Sequence, residues 1–113
     1  MNSSIFKSKN PQQGVRWVQG VYKDVKAKVC LSKPLMLKEI GFPTGGENWA
    51  TEKNQETFLK LMDNKSVPFC FFEAFDQPWK GSDGTIEPHW GIFFQNRTPK
   101  AYAQTRTKKR KPN

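Results

Sequence analysis

Apolar residues in the first third of the chain recur at helical spacing. Val15, Val18, Val21, Tyr22, Val25 and Val29 lie three and four residues apart, one face of a helix, with Lys23, Lys26 and Lys28 on the other side. Ser32-Lys33-Pro34 breaks the pattern. The short apolar run 35–40, bounded by Pro34 and Gly41, suits a buried strand better than a helix. A loop rich in breakers follows, Phe42-Pro43-Thr44-Gly45-Gly46-Glu47-Asn48. Thr51 as N-cap, with Glu52 in the first turn where a carboxylate suits the helix dipole, predicts a helix to about Asp63. It would bury Phe58, Leu59, Leu61 and Met62 and end near Asn64. Residues 67–75 form a second run of strand length, rich in phenylalanine.

The predicted order is helix, strand, helix, strand: one βαβ unit with a helix before it, hence parallel strands and a right-handed crossover. Parallel strands are normally covered on both faces and belong to larger sheets. Two strands and two helices cannot enclose the aromatic surface of residues 69–75, so the pattern reads as part of an α/β fold. Each strand run also carries acid where burial predicts none: Glu39 in the first, Glu73 and Asp76 in and after the second. A buried carboxylate costs several kcal/mol (on the order of) unless it is paired or used. Strict alternation would place Leu35, Leu37 and Glu39 on one face, and Phe69, Phe71, Glu73, Phe75 and Gln77 on one face of the second strand. Acid near the C-terminal ends of parallel strands lies where α/β folds build active sites. By pattern alone, Glu39 and Asp76 read first as ordinary strand-end residues meeting solvent or a lysine.

Composition refines this picture without changing the fold class. The 113 residues carry a formal charge of +9, but seven basic residues and no acidic one lie from Arg97 onward, leaving a net of +2 on residues 1–96. The charge belongs to one end of the chain. Three zones are expected: 1–13 a disordered leader or loop, 14–96 the folded part, and 97–113 a basic flexible tail. No apolar run approaches the roughly 18 residues of a membrane span, and the first thirty residues lack the apolar centre of a secretory signal. Cys30 and Cys70 have no CxxC spacing and are expected to be small buried hydrophobes.

Three segments resemble family 17 of the glycoside hydrolases, the β-1,3-glucanase family, and its microbial branch in particular. Glu39-Ile40-Gly41-Phe42-Pro43-Thr44-Gly45-Gly46 is similar to the segment ending the seventh barrel strand. Phe71-Phe72-Glu73-Ala74-Phe75-Asp76-Gln77-Pro78-Trp79-Lys80 is similar to the eighth strand and its loop, and Glu87-Pro88-His89-Trp90-Gly91-Ile92-Phe93 to the closing segment. Residues 17–28 resemble the helix before the seventh strand. The resemblance runs over roughly residues 15 to 100 in the family's order. It implies the C-terminal helix-strand-helix-strand portion of a (β/α)₈ TIM barrel, incomplete as written, since such a barrel usually takes about 250 residues.

The same resemblance implies roles. Glu39 matches the catalytic nucleophile of a retaining glycosidase. Lys80 and Glu87 match a lysine and a glutamate that lie near the nucleophile and shape its electrostatics or contact sugar. Gln77 stands where many members have another glutamate, so that acid's role is lost or altered. Phe42 replaces the commoner tryptophan as a flat surface, and Trp79 and Trp90 are further faces for glucose rings. Retaining hydrolysis needs two carboxyl groups about 5–5.5 Å apart, one attacking the anomeric carbon and one protonating the leaving oxygen. The family's acid/base glutamate sits on an earlier strand with no counterpart here, so the isolated chain is expected not to turn over glucan. No metal or cofactor is required.

The implied partners are a β-glucan polysaccharide or oligosaccharide and the N-terminal half of a barrel; an extracellular or cell-surface location follows from the resemblance alone. A non-catalytic glucan-binding or glucan-synthase accessory module is the alternative. A nucleic-acid role would rest on Lys108-Lys109-Arg110-Lys111, and such runs are usually solvated tails without an accompanying fold.

Overall fold

The computed structural model describes residues 9–30 and 32–109. Helix α1 spans Pro11–Val25, four residues earlier in its start than the valine pattern indicates, because the side chain of Asn10 caps it by accepting from the Gln13 amide at 3.1 Å. Pro11 at the first helical position needs no amide partner. The start therefore falls inside the zone expected to be a leader or loop; residues 1–8 of that zone lie outside the described residues. A wider π-helical turn, Lys26–Cys30, follows. The extra residue per turn takes the chain out of the 3.6 phase. Val15 and Val18 are buried as expected, and Val29 is exposed.

Strand β1 is Leu37–Ile40, helix α2 is Glu52–Asp63 and strand β2 is Phe69–Phe71. β1 and β2 pair in parallel, as the element order requires. Both strands are shorter than their apolar runs. Thr51 caps α2 through the Asn54 amide at 3.0 Å, and Phe58, Leu59 and Met62 are buried, while Leu61, expected with them, is only half-buried at the edge of the core. Leu37 pairs with Phe69 and Ile40 with Phe71, three residues on β1 against two on β2. The irregularity coincides with Glu39, whose φ is +57°. This bulge overturns the expected alternation: Leu37 and Ile40, not Leu37 and Glu39, occupy paired positions opposite Phe69 and Phe71.

β1 then passes directly beside the end of β2. A Cβ on Gly41 would lie 1.8 Å from the Phe72 carbonyl oxygen, so this crossing admits glycine alone. Phe42, Phe58, Leu59, Met62, Trp90 and Tyr102 join Val15, Val18 and Ile40 in one core between the strands and the helices. The closing segment runs beside residues 73–76, with Ile92 N donating to Glu73 O at 2.9 Å and Phe93 N to Ala74 O at 2.9 Å.

Part of the expected flexible tail is a helix. Helix α3 spans Ala101–Lys109 and packs on α2. Tyr102 is buried and donates to Asp63 Oδ2 at 2.7 Å, and Thr105 Oγ1 donates to Glu56 Oε2 at 2.7 Å. Charge composition masked this because Tyr102 and Ala103 are the buried apolar residues among those described in a helix otherwise rich in polar and basic side chains. Cys70 is likewise exposed rather than buried, with its Sγ 3.5 Å from Met36 Sδ, because β2 turns Phe69 toward the core and the residue beside it away.

Candidate functional site

The site is built at the edge where the parallel strands end. β1 delivers Glu39, exposed and held in the left-handed backbone region, one residue before Ile40 enters the core. For a residue with a Cβ that conformation costs on the order of 1–3 kcal/mol and occurs preferentially at functional positions. Just past the end of β2, the Glu73 side chain is 11% exposed among aromatic rings. Gln77 Nε2 donates to its Oε1, and Lys80 Nζ stands 3.4 Å from the same oxygen and 4.7 Å from the Phe72 ring centroid. The lysine and the amide thus meet on Oε1, while Oε2 is buried without a hydrogen-bond partner among the described residues. Lys80, which the resemblance places near Glu39, forms its ion pair with Glu73.

A basin of about 470 Å³ opens beside this pair. Glu73, Asp76, Gln77, Gln95 and Arg97 give it polar walls, and Phe75 and Trp79 give it apolar ones. Trp79 is 74% exposed, a flat indole face held out beside carboxylate, amide and guanidinium groups. Arg97 lies 5.4 Å from the Phe75 ring centroid. An aromatic plate flanked by planar hydrogen-bonding groups matches the alternating apolar faces and hydroxyl edges of a pyranose ring. Glu39, Lys80 and Glu87 are not among the lining residues of the basin. Glu87 is exposed in the 3₁₀ turn Glu87–His89, and Gly81 approaches its Cβ.

Two of the expected sugar-facing aromatics are corrected by burial. Phe42 is 0% exposed, its ring 5.6 Å from Phe58 and 5.7 Å from Trp49. Trp90 is buried with its ring 5.7 Å from Phe72. Both faces are spent on the core, because the chain after each folds back beneath α2. Gln55 enforces that return. It is fully buried on α2, and its Nε2 donates to Phe42 O and Gly91 O, each at 3.0 Å. No sequence signal distinguished Gln55 from an ordinary polar helix residue.

Lys100 was also missed. It is fully buried, with Nζ donating to Asp76 Oδ1 at 2.7 Å and Thr44 Oγ1 at 2.8 Å. Burial pushes its ammonium below the usual lysine range, and the Asp76 carboxylate works against that shift. Asp76 therefore meets a lysine, one of the two readings its position allowed. A second basin, about 320 Å³, lies at the opposite end of β2 among Tyr22, Lys23, Asn64, Lys65 and Val67. Among the described residues no helix is long and apolar enough to cross a membrane.

No protein-family model matches the chain. Among curated proteins it is 37% identical over 101 residues to a glucan 1,3-beta-glucosidase of Arthroderma benhamiae, covering 76% of this chain and 33% of that protein. It is 37% identical over 71 residues to a glucan 1,3-beta-glucosidase of Schizosaccharomyces pombe, covering 55% and 22% respectively. The chain thus spans a third or less of the length of these relatives. Among solved structures, the glycoside hydrolase family 17 beta-1,3-glucanosyltransferase from Rhizomucor miehei superposes with a TM-score of 0.68 at 24% identity, over 82% of this chain and 36% of that one. An endo-laminarinase from Formosa superposes with a TM-score of 0.67 at 20% identity, over 88% and 30%. Sequence relatives and shared fold agree with the three motifs and the parallel strand pair: the chain belongs with the β-1,3-glucanase-like proteins of glycoside hydrolase family 17, and corresponds to part of their fold.

Proposed function

We propose that the chain is the C-terminal helix-strand-helix-strand portion of a (β/α)₈ barrel, the part that carries the nucleophile of a retaining β-glucan hydrolase or glucanosyltransferase. The observation that carries this reading is that Glu39 at the end of β1 and the Glu73–Lys80 pair just past the end of β2 lie at the same C-terminal edge of two parallel strands, with the basin of Trp79 and Gln77 beside that pair. The glucan activity named for the relatives, and the laminaritriose bound by an active-site mutant of the Rhizomucor miehei enzyme, support β-1,3-glucan as the ligand class.

In this reading a Glu39 carboxylate oxygen attacks the anomeric carbon, forming a C–O bond as the bond to the leaving oxygen breaks. The leaving oxygen needs a proton from a second carboxyl group, supplied by an earlier strand of the barrel. Transfer of the glycosyl group to water or to a second sugar then regenerates Glu39. Trp79 supplies a stacking face, and Gln77 and Arg97 supply hydrogen bonds to hydroxyl groups. By the resemblance Lys80 and Glu87 serve as electrostatic support, and no metal or cofactor is required.

The test has two arms. Titration of the chain with laminari-oligosaccharides, read by tryptophan fluorescence, is expected to saturate and to weaken at least tenfold in Trp79→Ala, with no reducing sugar released. A 2-fluoro-laminarioligosyl fluoride needs no acid, because fluoride departs unprotonated as the carboxylate–C1 bond forms. It is expected to add one glycosyl group to the Glu39 peptide and none to E39Q. Absence of binding overturns the ligand class. Binding with the adduct on another carboxylate overturns Glu39 as nucleophile, and binding with no adduct favours the non-catalytic glucan-binding module.

A further inference from the structure

We infer that Lys100 is a positioning residue for the candidate glucan site, a buried cation that fixes the loop after β1 against the loop after β2. The inference rests on the glucan reading of the basin, but its geometry stands apart from it. Lys100 precedes α3 and is 0% exposed. Its ammonium reaches Thr44 in the loop that follows Glu39, and Asp76 in the basin wall next to Gln77. The Phe94 ring lies 5.1 Å from the same nitrogen. Asp76 Oδ1 also accepts from Gly91 N at 2.9 Å, and Thr44 N donates to His89 O at 2.9 Å, so the closing segment is held by the same groups.

A buried ion pair is poor net stabilisation, since desolvation offsets most of its Coulombic gain and apolar replacements of like volume are often as stable. What such a pair does supply here is direction. An ammonium with two donors committed admits one separation between a hydroxyl on one loop and a carboxylate on the other. Beyond the β1–β2 pairing, which reaches Phe72 N to Ile40 O at 2.8 Å, the chain runs on from Glu39 into one loop and from β2 into the loop that holds Gln77. The Lys100 ammonium hydrogen-bonds to both loops directly, and the catalytic geometry depends on their separation to within a fraction of an ångström.

The experiment compares hydrogen exchange in the wild type, T44V, K100M and the double variant D76N/K100M, which removes the charge from both partners. The expected result is that residues 41–46 and 74–80 exchange at least tenfold faster in K100M and in the double variant, while α2 keeps its protection. In T44V the change is confined to residues 41–46. The double variant recovers the wild-type unfolding midpoint, yet its laminari-oligosaccharide affinity stays at least tenfold lower. Loops that exchange at the wild-type rate in the stable double variant overturn the inference, as does acceleration spread evenly over loops and α2 alike. Failure of the wild type to bind laminari-oligosaccharide overturns the functional reading instead, and the exchange comparison then decides the clasp by itself.

Discussion

Replacing Phe42 separates a core residue from a sugar platform, the two roles its sequence position offers. The side chain is 0% exposed, lies against the Phe58 and Trp49 rings, and its carbonyl oxygen accepts from the buried Gln55 amide. Phe42→Ala removes a wholly buried ring and leaves the Phe58 and Trp49 rings facing a cavity. The expected loss is about 3–5 kcal/mol. Domains of this size have on the order of 5–15 kcal/mol in total, so the variant retains a fraction of its stability. With a urea dependence of about 2 kcal/mol per molar, the unfolding midpoint falls by about 2 M. Phe42→Leu keeps most of the volume and costs about 1–1.5 kcal/mol. The assay is urea unfolding followed by tryptophan fluorescence, paired with a laminari-oligosaccharide titration of the folded Leu variant. Affinity in Phe42→Leu is expected within twofold of wild type. A tenfold loss of affinity with the midpoint unmoved refutes the reasoning and returns Phe42 to the sugar.

Three further outcomes follow from the same contacts. Gln55→Met leaves the Phe42 and Gly91 carbonyls without their shared donor, and is expected to cost about 1–3 kcal/mol in urea unfolding, more than the exposed substitution Lys53→Met. Gly41→Ala drives a Cβ into the Phe72 carbonyl, and its cost is expected at or above about 3 kcal/mol, read as loss of the cooperative unfolding transition at ambient temperature. Tyr102 has its hydroxyl pushed up to about 12 by burial and by its hydrogen bond to Asp63. Between pH 10 and 12 the unfolded chain loses this proton while the folded chain keeps it, so stability falls as pH rises through that window. The difference in unfolding free energy between wild type and Tyr102→Phe is expected to shrink from pH 9 to pH 12; a constant difference contradicts the linkage.

How far the sequence could be read depended on the range of the forces involved. The start and extent of helix α2 were legible, because an N-cap, a first-turn acid and a 3.6-residue apolar period are all local. The parallel pairing followed from element order, since a helix between two strands leaves the chain at the starting edge. The family's motifs were legible as residue strings, and with them Glu39, Gln77, Trp79, Lys80 and Glu87 as candidates. Their surroundings were not. The bulge at Glu39 is a backbone choice at φ +57°, and side-chain alternation carries no trace of it. Phe42 and Trp90 belong to the core because Gln55 draws two distant carbonyls under α2, a contact spanning 36 residues to Gly91. Lys100 stood in a run of basic residues that composition marks as solvated. Only the packing of α3 on α2 carries it inward to Asp76 and Thr44. Local pattern therefore determined the elements, their order and the candidate chemistry. Which aromatic faces are spent on the core, which acid holds which lysine, and what ties the two strand-end loops together were decided by tertiary contacts. Burial and electrostatics act between residues that are neighbours in space and strangers in sequence.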